Sequence, residues 1–358
     1  MTRQLRTGRT TGSCASAAAM AGVCFLLNGA APDRVEIPLP PGGHLAVPID
    51  RMETEGTGVR VTVIKDGGDD PDATHGCEIQ AVVTVDRHDP APLSVHIDGG
   101  LGVGRATLPG LPVHVGCAAI NPEPLKQIET AVRQAASAMR TGRITVTVEV
   151  PEGEAIALKT MNPRLGILGG ISILGTQGIV KPYSHDSWKA TIEEGLDVIR
   201  AQGLSLAVFT TGRRSERLYL DTRPETPELA LVQAADFFEF SMQAAARREF
   251  THITWSLFFG KLVKQAQALP YTHAKSHPVD FDQLADRCRE AGCNPALDRE
   301  IRSANTARQI LDLLGHDPAR PALIELLVHH AKKAAEAFSG GQVTVEYMVF
   351  DFDGKQLF

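Results

Sequence analysis

Near residue 155 the hydrophobic period of this chain changes, and that change restricts the folds open to it. Before it, apolar residues alternate with others in VEIPLP, HLAVPI, GVRVTVIKD and CEIQAVVTVD, the pattern of strands with one buried face in a mostly antiparallel sheet. After it an apolar strand runs to Leu174, and a helix is expected over residues 186–202. The strand LSLAVFTT follows, then a helix over 227–248, the strand THITWSLFF, and a helix opening at Gly260-Lys261. Strand and helix in alternation build a parallel sheet covered on both faces, because each parallel connection must cross over the sheet. The expected fold is therefore α+β followed by α/β. An N-terminal α+β domain with a mostly antiparallel sheet occupies 1–155, and a C-terminal α/β/α domain with a mainly parallel sheet occupies 156–358. The boundary is expected in PEGEAIALKT, and 358 residues suit two cores better than one.

Composition narrows the function classes. A net charge of -6 lacks the basic excess of a nucleic-acid binder. Cys14, Cys24, Cys77, Cys117, Cys288 and Cys293 form no Cys-x-x-Cys pair, and neither a secretory leader nor an eighteen-residue apolar run is read. The expectation is a cytoplasmic protein with reduced thiols, no membrane span and no protein-bound metal. Cys288 and Cys293 read as packing residues.

The segment NPRLGILGGISILGTQGIVKPYS, residues 162–184, joins an apolar strand pattern to a loop almost without bulk. Gly169, Gly170, Gly175 and Gly178 would leave backbone amides open to a nucleotide-like ligand, and a tight turn packed beneath a neighbour is the competing reading. In a parallel sheet, ligands bind at the carboxyl ends of the strands. This loop and residues 210–216 are expected at two neighbouring carboxyl ends, with Glu216 or Asp236 on ribose hydroxyls. Asp236 reads equally as an acid favoured by a helix amino end.

The N-terminal LRTGRTTGSCASAAAMAGVCFLLNG is a helix with Thr11 or Ser13 as cap and Asn28-Gly29 as stop. Arg3, Arg6 and Arg9 stand ahead of its amino end, a candidate anion site unless they are a solvated tail. In KDGGDDPDATHG, four aspartates, Thr74 and His75 lie between two strands. Such a loop can bind a cation, orient a polar substrate or move protons, and a surface turn is the plain alternative. The glycine-rich HIDGGLGVGR opens no helix, which argues against a dinucleotide fingerprint and leaves a substrate wall or a turn.

Taken in order, LRTGRTTGSCASAAA, GDDPDATHG, GGLGVGRATLPGL with AAINPEP, NPRLGILGGISILGTQGIV, TTGRRSE, and FFGKLVK with YTHAK resemble the cobalt-precorrin-5B C(1)-methyltransferase (CbiD) family of anaerobic cobalamin biosynthesis. Leu269-Pro270 and Gln177 depart from the residues usual in that family. The resemblance implies methyl transfer from S-adenosylmethionine to carbon 1 of cobalt-precorrin-5B, giving cobalt-precorrin-6A. It implies His75, Asp72 and Asp70 as catalytic candidates. Gly169, Gly170, Ser172, Gly175, Thr176 and Gly178 become cofactor-binding candidates, together with Thr211, Gly212, Glu216 and Asp236. Arg9, Thr10, Thr11, Cys14 and Thr74 are implied to contact substrate, as are Arg164, Ser184 and His273. The partner is an anionic, cobalt-bearing tetrapyrrole, and a homo-oligomer stays open. A non-catalytic tetrapyrrole carrier and a phosphotransferase are the competing classes, although no Gly-Lys-Ser/Thr sequence occurs.

Overall fold

The structure, a computed structural model, describes residues 5–358. It divides into two compact units, one ending at Ser184 and one beginning at His185.

The first unit runs β1 (Gly8–Arg9), α1 (Thr11–Asn28), β2 (Arg34–Pro38), β3 (His44–Pro48), β4 (Arg51–Glu55), β5 (Gly58–Ile64), β6 (Glu78–Asp86), β7 (Ser94–Gly99), β8 (Arg105–Ala106), α2 (Pro122–Ala135), β9 (Arg143–Glu149), α3 (Gly153–Ala157), β10 (Ile167–Leu168) and β11 (Ile179–Val180). Five strands form a sheet in the order β4-β5-β6-β9-β7, antiparallel except where β7 meets β9. The inward set of the alternation, Val59, Val61 and Val63 with Ile79, Ala81 and Val83, is fully buried and packs against α1. Strand β4 carries no such alternation in sequence, and its residues stay mostly exposed at the sheet edge. Helix α1 has the length and apolarity of a membrane-crossing helix, yet 72% of it is buried inside this unit. Gly22 lets the sheet approach it closely: a Cβ there would stand 2.7 Å from Val83 Cγ2. Thr10, not Thr11 or Ser13, is its cap, the hydroxyl accepting from the Ser13 amide at 3.1 Å, and Gly29 ends it with φ 73°.

The domain boundary expected after residue 155 falls instead at Ser184, because backbone bonds stitch residues 160–180 into the first unit. Strand β10 pairs with β8, and β11 with β1. Ile171 and Ile173 donate to Gly102 and Ala119, and Thr107 donates to Gly166. PEGEAIALKT is accordingly not a linker but holds α3. The long apolar strand expected before Leu174 is only two residues of β10 followed by isolated bridges.

The second unit runs α4 (His185–Ala201), β12 (Leu206–Thr210), α5 (Arg213–Thr222), β13 (Leu231–Gln233), α6 (Phe238–Arg247), β14 (His252–Phe258), α7 (Phe259–Ala266), α8 (Phe281–Glu290), α9 (Asp298–Arg302), α10 (Ala307–Leu313), α11 (Arg320–Phe338) and β15 (Thr344–Phe350). Its sheet, in the order β13-β12-β14-β15, is parallel throughout. Alternate residues Phe209, Trp255 and Leu257 enter the large core under α4, α6, α7 and α11, and Val208, Met348 and Phe350 meet Tyr219 of α5 on the other face. The helix expected over 227–248 is a short edge strand, β13, followed by α6. Three strand residues after Pro227 are too few to show a period of two.

Candidate functional site

In the first unit, the acidic loop between β5 and β6 is held from both sides. The alternation that buries Val59, Val61 and Val63 carries Lys65 inward as well, to 2% exposure. Its ammonium pairs with Asp72 Oδ2, while Asp72 Oδ1 accepts from the Thr74 amide at 2.8 Å and the Thr74 hydroxyl at 2.6 Å. Burial pushes the Asp72 carboxyl up, but Lys65 and Thr74 outweigh it and the net displacement is downward. Asp72 thus has no oxygen to spare for a reacting group. His75 is more than half exposed, and its Nδ1 accepts the Gly67 amide at 3.0 Å. A neutral His75 in that bond carries its proton on Nε2, so the ring presents a donor.

The N-terminal segment closes the loop from the other side. Arg6 pairs with Asp66 and holds its carboxyl down to about 2, helped by the Gly68 amide. The Arg9 amide donates to the Asp66 carbonyl at 2.6 Å, and the Arg6 amide donates to Asp69 Oδ2 at 2.8 Å. Asp70 Oδ1 accepts the Tyr183 amide at 2.8 Å. Arg3 lies outside the described residues. Among the described residues, Arg9 Nε is buried without a hydrogen-bond partner.

The glycine loop lies in this unit too, against the amino end of α1, and not at the carboxyl edge of the parallel sheet where it was expected. The Gly12 amide donates to the Leu174 carbonyl at 3.2 Å and the Thr10 amide to Gly178 at 3.3 Å. The Thr11 hydroxyl bridges the Leu174 amide and carbonyl, and the Ser13 hydroxyl donates to the Gly178 carbonyl at 2.7 Å. These carbonyls occupy the helix end that the sequence offered as an anion site. The glycines permit the contact: a Cβ on Gly175 would lie 2.4 Å from Thr10 Cβ, and one on Gly170 2.0 Å from the Gly102 oxygen. Ser172 is buried and donates to Asn162, whereas Gly169 and Thr176 are exposed. Cys14 has no exposure, and burial pushes its thiol to about 12. Arg164 and Ser184 are both engaged within the protein.

In the second unit, the chain leaves β12 toward β13 on one side and returns to β14 on the other, which makes the carboxyl ends of β12 and β14 the sheet's topological switch point. Here Thr211 and Gly212 open α5. Gly212 has φ 151°, nothing lies within 4 Å of where a Cβ would stand, and no side chain caps the helix. Glu216, 7% exposed, accepts the Gln233 side-chain amide at 3.2 Å. Asp236, just beyond β13, pairs with Lys261 through Oδ1, which also accepts the Thr272 hydroxyl at 3.0 Å. Lys264 donates to the carbonyls of Thr272, His273 and His277 and so shapes the loop carrying His273. Among the described residues no group of three or more His, Cys, Asp or Glu could hold a metal ion.

Sequence reasoning missed Lys65, Lys261, Thr272 and Gln233. The first was accessible, since it continues the inward set of β5. The other three act through tertiary contacts that no local pattern announces.

Fold and site define an α/β protein with one antiparallel unit, which carries a clamped acidic loop, and one parallel unit, whose switch point is where Gly212 opens α5. Residues 1–182 match the family model described as CbiD, and residues 271–358 match the CbiD C-terminal domain. The chain belongs to the CbiD family. Relatives named cobalt-precorrin-5B C(1)-methyltransferase, a C-methyltransferase, include that of Nitratidesulfovibrio vulgaris (strain Hildenborough), 48% identical over 99% of this chain and 92% of the relative. That of Geobacillus kaustophilus is 42% identical over 99% of this chain and 94% of the relative. A crystal structure of the cobalamin biosynthesis protein (cbiD) from Archaeoglobus fulgidus is 26% identical over 80% of this chain and 84% of that one, with a TM-score of 0.40.

Proposed function

We propose that the chain transfers a methyl group from S-adenosylmethionine to carbon 1 of cobalt-precorrin-5B, giving cobalt-precorrin-6A in anaerobic cobalamin synthesis. The names of the relatives support the reaction. The observation that carries the cofactor half is the switch point, where a glycine-opened, side-chain-uncapped helix end stands beside two largely buried acids. Thr211, Gly212 and the first amides of α5 suit the carboxylate tail of the cofactor, because a helix amino end favours an anion. Glu216 and Asp236 suit its ribose hydroxyls as acceptors. Bound there, S-adenosylmethionine supplies an electrophilic methyl carbon.

The residues of the first unit then serve the tetrapyrrole. Arg9 and Arg164 suit its carboxylates, with Ser184 as a polar neighbour, while the hydroxyls of Thr10, Thr11 and Thr74 are spent inside the unit, and the loop from Gly169 through Thr176 to Gly178 is the wall that fixes α1. Positioning donor and acceptor in line supplies up to ~7–11 kcal/mol of the barrier reduction. The proton displaced from the ring needs an acceptor. His75 presents a donor and Asp72 is fully engaged, so Asp70, with Oδ1 on Tyr183 and its other oxygen left over, takes that role, and His75 orients a ring carboxylate. This reading places the protein in the cytoplasm, acting without nucleic acid, membrane or resident metal, and admits a homo-oligomer.

The test is incubation with cobalt-precorrin-5B and methyl-labelled S-adenosylmethionine, with the methylated carbon located by NMR. Label on carbon 1 is expected; label elsewhere, or none, refutes the proposal. Asp70→Asn should slow single-turnover transfer by ~10²–10⁴-fold if it accepts the proton, and an unchanged rate removes it from that role.

A further inference from the structure

Several rings converge around Asp236 at the carboxyl end of β13, and the assignments above use only one of them. His185, the first residue of α4, meets Phe237 edge-on with centroids 5.1 Å apart and lies 4.9 Å from Tyr271. Phe237 and Tyr271 are 5.0 Å apart, and His273 is nearly parallel to Tyr271, with 16° between their planes. The cluster is held in place. Tyr271 Oη and His185 Nε2 are 3.1 Å apart, the Thr272 amide donates to the Asp236 carbonyl at 2.9 Å, and the Glu239 amide donates to Pro270 at 3.0 Å. One turn along α4, Trp188 is 43% exposed while its Nε1 donates to the Gln233 carbonyl at 3.0 Å. Gln233 is also the residue that donates to Glu216.

Phe237 is a buried floor, whereas His185 and Trp188 are open to solvent. Exposed aromatic faces, locked by hydrogen bonds and grouped about a largely buried carboxylate, match a planar heterocycle joined to a polyol. The rings stack the base, and the acid takes the hydroxyls. Asp236 spends Oδ1 on Lys261 and Thr272, which leaves Oδ2 for such a hydroxyl. We propose that His185, Trp188 and Tyr271, over Phe237, form the stacking platform for the adenine base of the methyl donor, with Asp236 Oδ2 on its ribose. This rests on the methyl-donor reading above and adds to it the residues that select an adenosine over other sulfonium compounds.

The experiment titrates the full chain with S-adenosylhomocysteine, adenosine and homocysteine, by calorimetry and by tryptophan emission. S-adenosylhomocysteine and adenosine should bind and change the emission of Trp188; homocysteine should not. Trp188→Ala and Tyr271→Ala should each weaken S-adenosylhomocysteine binding by about tenfold or more, the size of one lost base–aromatic stack. Trp188→Phe should keep affinity within about threefold, since a stacking ring is retained, while abolishing the emission change. Wild-type affinity in both alanine variants overturns the platform and leaves the methyl-donor reading standing. No binding of S-adenosylhomocysteine by the wild-type chain overturns both, and an emission change produced by the tetrapyrrole alone, with none from the nucleosides, gives the platform to the substrate instead.

Discussion

Asp72→Asn is expected to destabilise the first unit more than Lys65→Met, although the two side chains share one ion pair. The asymmetry follows from burial. Lys65 is 2% exposed, whereas the Asp72 side chain keeps 23% and holds two bonds from Thr74. In Asp72→Asn a single amide oxygen must serve where two carboxylate oxygens did. Either Thr74 or the Lys65 ammonium loses its acceptor, and a buried charge left without its partner costs about 3–5 kcal/mol. In Lys65→Met the carboxylate retains Thr74 and reaches water, so the cost falls to about 1–3 kcal/mol, the range for one orphaned polar group. Total stability is typically about 5–15 kcal/mol, so the difference is measurable. Both tryptophans, Trp188 and Trp255, lie in the second unit. Hydrogen exchange at the β5 and β6 amides across a urea series therefore reports the first unit, and tryptophan emission serves as the control for the second. A Lys65→Met cost equal to or above that of Asp72→Asn would refute the reasoning.

Gly175→Ala should lower the melting temperature markedly, at about 2 kcal/mol or more, because the new Cβ meets Thr10 at a φ of 132°; Gly169→Ala, with φ 80° and open space, should cost only about 1–2 kcal/mol. Asp66, whose carboxyl Arg6 holds down to about 2, contributes stability that is fully present above its unfolded value near ~4 and is lost as pH falls toward 2. Asp66→Asn should therefore flatten that acid limb in a pH series of denaturation midpoints, and an unchanged limb counts against the pairing. A thiol reagent at neutral pH should modify the exposed Cys117 quickly and leave Cys14 untouched, since burial pushes Cys14 to about 12. Cys117→Ser should remove the fast phase, and rapid labelling of Cys14 would show that α1 opens.

Local sequence pattern determined much of this protein: the inward valines of β5, the stop of α1 at Asn28-Gly29, and the alternation of strand and helix that makes the second sheet parallel. Period reports which face of a local element is buried, and that information is carried by neighbours in the chain. Where the glycine loop packs was decided elsewhere. Thr10 meets Gly178, Thr11 meets Leu174 and Asp70 meets Tyr183 across more than a hundred residues, so the domain boundary and the cap of α1 follow from those contacts. A glycine declares that something approaches closely without declaring what, and here it is the backbone of the first unit. The same holds for the acids. Type and spacing marked Asp72, Glu216 and Asp236 as candidates, but only the tertiary structure gives Asp72 to Lys65, Glu216 to Gln233 and Asp236 to Lys261, because hydrogen bonds and ion pairs depend on distances in space that sequence separation does not encode.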